Sequence, residues 1–178
     1  MSGRDKILAA AAKSFGHRPY HEVSIAPILV EAEVQPPTLY YHFKDKEGLY
    51  VAWSEAVFAP LQLGIRRFES LEVALAAFAS MFFSTVQLDL TQFVKDIAQL
   101  ERDASREAAY GHYFQKVYEP LCQILIEGIE RGELNPEPIE PIADLFLAGL
   151  NELRARVEKD VVQMASWYAR RFLYGHHA

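Results

Sequence analysis

The chain has 178 residues, of which 51% are hydrophobic and 24% charged, with a formal net charge of −6. Such a composition excludes a disordered or fibrous chain, and no apolar run approaches the 18 or so residues that a membrane helix needs. One cysteine, Cys122, excludes an internal disulfide and fits a reducing compartment. The opening Met1 to Lys6 lacks the apolar core of a signal peptide, so the expectation is a cytoplasmic protein with no membrane partner.

The charge is unevenly spread. Residues 1–50 hold six Lys/Arg and six Asp/Glu, so they are neutral, and the other 128 positions carry all of the −6. His17, His21 and His42 can add positive charge beside an anion, because a nearby negative group favours imidazolium.

Nearly every segment has helical periodicity, and no stretch alternates convincingly as a strand would. The spacing of Leu8, Ala11 and Phe15 predicts a first helix over roughly 4–15, with Gly16 available to end it. Ser24 is read as the N-cap of a short helix over about 25–31, with Pro27 in its first turn. A third short helix follows over about 36–42. Asp45 is read as the cap of a fourth, starting near Lys46 and kinked or interrupted by Pro60. Further helices are expected at about 71–87, 89–102 and 105–131, the last bent at Pro120 and stopped at Arg131-Gly132. Asn135-Pro136-Glu137-Pro138 reads as a linker. Pro141 then lies in the first turn of a helix running to about 155, and a last helix covers about 157–174.

The segment from Ser24 to Lys46 carries the most chemistry. Leu39 and Phe43 are four residues apart and share a helix face, so both are expected in a core. Thr38, Tyr40, Tyr41 and His42 project elsewhere and offer hydroxyls, a ring N–H and aromatic surface. Such groups contact phosphates and base edges when a helix enters the major groove. Lys46, at the start of the fourth helix, adds an ammonium next to a positive helix end, and both favour a phosphate. The plain alternative for these polar residues is a solvated helix face.

This stretch resembles the tetracycline-repressor (TetR) family of bacterial regulators. The resemblance rests on Ile7-Leu8-Ala9-Ala10-Ala11 with Phe15, on Ile28 and Ala32, and above all on Thr38 to Leu49, a Thr-Leu-Tyr-x-His-Phe-x-x-Lys-x-x-Leu pattern. It implies an all-α fold, with a helix-turn-helix DNA-binding domain at 1–47 and a larger helical ligand-binding and dimerisation domain at 48–178. Carried over by position, the DNA-contacting residues are Thr38, Tyr40, His42 and Lys46, joined by Tyr41, Pro37 and Ser24. The chain departs from the family in having Pro19 and Glu33 where glycine is usual, and Leu29 where alanine is common. A positive φ at Glu33 would cost roughly 1 kcal/mol.

The resemblance further implies a homodimer on a double-stranded, palindromic operator, most members being repressors. Along 142–153 apolar residues run nearly all the way round, and the final helix has two apolar stripes, one for a core and one for a partner copy. It also implies a pocket for a small effector. The aromatic-rich central helices suit an apolar or aromatic molecule, with Phe78, Met81, Phe82, Tyr110, Phe114, Tyr118 and Asn151 as candidate contacts, although apolar residues at helical spacing are more often simple core. Gln87, Gln99, His112 and Gln123 are further polar candidates.

No enzyme motif, cofactor loop or metal-ligand spacing is present in the sequence, so neither catalysis, a cofactor nor a metal is expected. His176-His177 reads as a tail and Cys122 as a buried thiol. The rival reading is a helical small-molecule-binding or interaction protein of the same fold with weak or no DNA binding, suggested by Glu33 and the neutral first fifty residues.

Overall fold

Ser2 opens the first helix, α1 (Gly3–Phe15), with a reciprocal cap: its hydroxyl accepts from the Asp5 N–H at 3.2 Å and its own N–H donates to the Asp5 carboxylate at 3.1 Å. The computed structural model describes residues 1–61, 68–157 and 160–175, and among these every regular element is helical. A single 3₁₀ turn at Tyr20–Glu22 leads to α2 (Ile25–Ala32), α3 (Pro36–Phe43) and α4 (Lys46–Phe58). Then come α5 (Leu71–Thr85), α6 (Leu90–Ile97), α7 (Asp103–Tyr113), α8 (Glu119–Glu130), α9 (Ile139–Arg154) and α10 (Val161–Tyr174). Among the described residues no single helix is long and apolar enough to cross a membrane.

The chain divides into two compact units, Met1–Pro60 with Gln87–Tyr113, and Leu61–Val86 with Phe114–Ala178. In the first, α1 packs against α2, α3 and α4, α4 packs against α7, and α6 against α7. Its interior is filled by Ile7, Phe15, Ile28, Leu39, Leu49 and Phe58, all nearly or fully excluded from solvent. Tyr50 lies among the rings of Phe15, Tyr20, Trp53 and Phe93, at 5.0 to 6.0 Å between centroids. In the second unit α5 packs against α8, α9 and above all α10, where buried Ala165 and Ala169, one turn apart, let the two backbones approach closely. Phe146 of α9 meets Tyr168 and Phe172 of α10 at 5.0 and 4.9 Å.

Helix boundaries differ from the sequence expectation in instructive places. Pro60 does not kink a helix, because α4 ends at Phe58 before reaching it. Where a bend was expected at Pro120, a π-helical turn, Phe114–Tyr118, stands just ahead of that proline. A proline removes the N–H that would bond the carbonyl four residues back, and widening the preceding turn accommodates both the lost bond and the ring. The helix expected over 89–102 stops at Ile97. The stop at Arg131-Gly132 is realised by Gly132 at φ 73°, a left-handed position that glycine adopts without strain. His176 and His177 lie outside the described residues.

Candidate nucleic-acid interface

α3 is short because both ends are fixed by local chemistry. Pro36 and Pro37 hold its first turn at helical φ, where their missing N–H groups cost nothing. At its other end Lys44 sits at φ 67° and ψ −46°, and the Asp45 N–H donates across it to the Phe43 carbonyl at 2.8 Å. That is a γ-turn of the strained, positive-φ kind. Gly48, in the first turn of α4, lies so close that a Cβ there would stand 2.0 Å from the Phe43 carbonyl oxygen. Asp45 caps α4 as expected, its Oδ1 accepting from the Gly48 N–H at 2.8 Å.

Between those ends α3 is cleanly two-faced. Leu39 is fully buried and Phe43 nearly so, each contributing roughly 1.5–3 kcal/mol of apolar burial. The Arg4 guanidinium lies over the Phe43 ring at 5.7 Å. Tyr40 is 55% and Tyr41 84% exposed, and Pro37 and His42 are exposed beside them. The His42 ring stands edge-on to Tyr41 at 4.9 Å. Thr38 is half-buried, its methyl 3.0 Å from where a side chain on Gly3 would begin, a tight approach of the start of α1 to α3.

Two of the candidate residues behave otherwise than the sequence suggests. Ser24 occupies the N-cap position of α2 with extended backbone, but its side chain makes no capping hydrogen bond; the reading of its hydroxyl as a helix cap is corrected. Lys46 is half-buried and holds its ammonium 4.1 Å above the Tyr20 ring. Burial lowers its pKa, opposed by the nearby Asp96 carboxylate. The start of α4 is also less open to an anion than its dipole alone suggests, since the Asp45 carboxylate already occupies the Gly48 N–H.

The α2–α3 turn carries the predicted backbone strain: Glu33 is at φ 54° and ψ 43°. Its carboxylate is well exposed and 3.8 Å from Lys6, while Glu31 of α2 pairs with Lys13 at 2.5 Å. The N-terminal acids are thus partly matched by α1 lysines.

Sequence reasoning missed Arg102. Its guanidinium grips both Asp45 oxygens at 2.6 and 2.9 Å and reaches Glu47 at 2.9 Å from Nε. No local pattern marks it, since it stands 57 positions from Asp45. Glu47 is nearly buried, which an acidic residue in a first helical turn does not announce.

Of the seven candidate effector contacts, six belong to the second unit and Tyr110 to the first. Phe78 and Phe82 are buried core residues of the second unit, where Phe78 faces Phe146 at 6.3 Å. Met81, Tyr118 and Asn151 are half-buried there, and Phe114 stacks on Tyr118 at 5.7 Å. Tyr110 is exposed on α7, in the first unit. Of the polar candidates, Gln99 bonds His21 at 3.1 Å and Gln123 bonds Glu127 at 3.2 Å. An open groove of about 610 Å³ in the second unit runs along Leu153, Val157, Met164 and Trp167, and a second borders Trp167, Arg170 and Tyr174. None of the seven candidates lines either groove. Large apolar side chains also stand exposed on α9 and α10, with Leu145 and Val162 each at 66%.

Comparison with known proteins matches residues 7–53 to the family model for bacterial regulatory proteins, tetR family. No curated protein matches the sequence. Among solved structures, a regulatory protein in the tetR family from Rhodococcus RHA1 superposes with a TM-score of 0.77 at 17% identity, over 98% of this chain and 97% of that one. The transcriptional regulator FadR from Bacillus subtilis, in complex with stearoyl-CoA, gives 0.75 at 19% identity, over 97% and 99%. The TetR family transcriptional regulator PfmR from Thermus thermophilus gives 0.71 at 22% identity, over 97% and 99%. Likeness at these identities is likeness of fold.

Proposed function

We propose that the chain, whose residues 7–53 match the family model for bacterial regulatory proteins, tetR family, is a cytoplasmic, ligand-responsive repressor of that family that binds a palindromic DNA operator as a homodimer. The observation that carries this reading is the division of α3, with Leu39 and Phe43 locked inward and Tyr40, Tyr41 and His42 presented outward on one short, end-stopped helix. A reading helix needs a rigid inner face and a polar, accessible outer one. On this reading Thr38, Pro37, Tyr40, Tyr41 and His42 meet bases and phosphates, while Ser24 and Lys46 reach backbone phosphate, Lys46 by leaving the Tyr20 ring.

The exposed apolar side chains of α9 and α10 support pairing with a second copy, since Leu145, Val162 and Trp167 lie on the helices expected to carry it. Two reading helices must lie about one helical turn of DNA apart, about 34–36 Å, so an effector that changes their separation releases the operator. An apolar or aromatic effector suits the aromatic-rich second unit, and FadR, solved with the long acyl chain of stearoyl-CoA, supports the apolar option. Regulation of this kind requires no catalysis and no cofactor.

The test is selection of bound duplexes from a randomised DNA library. The full chain should enrich a two-fold symmetric sequence, and Tyr40→Ala and His42→Ala should each weaken binding at least about ten-fold without lowering the melting temperature. Sedimentation should give a dimer that Leu145→Glu with Val162→Glu dissociates. The rival reading, a binding protein without DNA affinity, draws on the exposed Glu33 carboxylate and on Lys46 lying over Tyr20. Failure to retain any duplex at low salt, where phosphate contacts are strongest, would select it.

A further inference from the structure

Arg102 lies one residue before α7 and ties that point of the first unit to the junction where α3 ends and α4 begins. Three hydrogen bonds and one further ion contact make the tie. Nη1 meets Asp45 Oδ2 at 2.6 Å and Nη2 meets Asp45 Oδ1 at 2.9 Å, a two-pronged grip on one carboxylate. Nε lies 2.9 Å from Glu47 Oε2 and also donates to Ser105 Oγ at 3.2 Å. The Arg102 backbone N–H donates to Glu47 Oε1 at 3.0 Å.

Both carboxylates sit where a DNA-reading protein can least afford bare negative charge. Asp45 closes the γ-turn at Lys44, three positions after the outward-facing Tyr40, Tyr41 and His42. Glu47 is nearly buried, and a buried carboxylate without a cation is costly. Exposed ion pairs are usually worth little. This one differs because the planar fork takes both oxygens of Asp45 while the same guanidinium places its charge 2.9 Å from Glu47, and lysine cannot reproduce the two-pronged grip. Lys46, which stands between the two acids in the chain, has its ammonium over Tyr20 instead.

We propose that Arg102 is a positioning residue for DNA reading: it cancels the charge of Asp45 and Glu47 and fixes the turn by which α3 passes into α4, without itself contacting the duplex. The proposal rests on the DNA-reading function above. Its contribution is to orientation and local charge, not to a phosphate bond.

The full chain is tested with the duplex that the wild type enriches from a randomised library, with affinity measured across a range of salt concentrations. Arg102→Gln should weaken binding at least about ten-fold with an unchanged dependence on salt, because no phosphate contact is lost. Adding Asp45→Asn to Arg102→Gln should recover much of that loss, since the amide oxygen still caps α4 while the stranded charge is gone. Circular dichroism confirms that each variant is folded. Wild-type affinity in Arg102→Gln, a salt slope lower by about one, or no recovery in the double variant overturns the proposal. Should Arg102→Gln fail to fold, Arg102→Lys decides: weakened binding at unchanged salt slope supports the fork's role, and wild-type affinity overturns it. A wild type that enriches no duplex would instead remove the DNA-reading function itself.

Discussion

The buried hydroxyl of Ser54 on α4 and Nδ1 of His112 on α7 lie 2.9 Å apart. Ser54 already gives its one proton to the Val51 carbonyl at 2.7 Å, so Nδ1 carries the hydrogen and Ser54 accepts it. The pair is a polar stitch between two helices of the unit that holds the proposed DNA-reading elements.

Burial lowers the His112 pKa below its ordinary 6.5, opposed by the Glu55 carboxylate. The unfolded chain therefore takes up this proton before the folded one. The neutral ring's contribution is complete above about pH 6.5 and declines as the pH falls from there through the lower folded value. Urea unfolding at pH 7.5 and pH 5.5 should give a lower midpoint at the acid pH, and His112→Gln should shrink that difference. An equal difference in the variant would assign the pH response to other groups.

Glu33 at φ 54° is held in a left-handed conformation that glycine adopts freely. Glu33→Gly should stabilise the protein by roughly 0.5–1 kcal/mol, the strain relief being partly offset by the greater entropy of an unfolded glycine. The lost pairing with Lys6, 3.8 Å long and exposed, subtracts little. Thermal melts read the change. The same variant should bind duplex DNA at least as well as the wild type, because it removes a carboxylate from the helix-turn-helix.

Gly48 is demanded by the neighbouring backbone. A Cβ at this position would stand 2.0 Å from the Phe43 carbonyl oxygen, which belongs to the γ-turn and has no rotamer by which to move aside. Gly48→Ala should therefore cost on the order of 3 kcal/mol and lower DNA affinity as the end of α3 shifts. A variant with wild-type melting temperature would show that the junction yields more easily than this contact implies.

Gly149 makes the corresponding demand in the second unit. The Tyr168 hydroxyl donates to the Phe146 carbonyl at 2.9 Å, and this places its oxygen 2.0 Å from where a Gly149 side chain would begin. Gly149→Ala should expel the ring from α9 and destabilise by roughly 1–3 kcal/mol. Because α9 and α10 are the helices proposed to pair with a second copy, sedimentation of the variant should show a weakened dimer. Unchanged stability and association would contradict both expectations.

The sequence alone determined the helical class, the order of the helices and the two faces of α3. These follow from spacings of three and four residues and from short-range signals, such as the prolines opening α3, Asp45 before α4 and Gly132 after α8, whose physics is complete within a turn or two. The strained Glu33 was marked by the family resemblance, which implies a glycine at that turn. The tertiary structure decided what depends on residues far apart in the chain. It joined Arg102 to Asp45 and Glu47, set Lys46 over Tyr20, and split the candidate effector residues between two units. Periodicity records which way a side chain points on its own helix, but not which distant partner the packed chain brings to meet it.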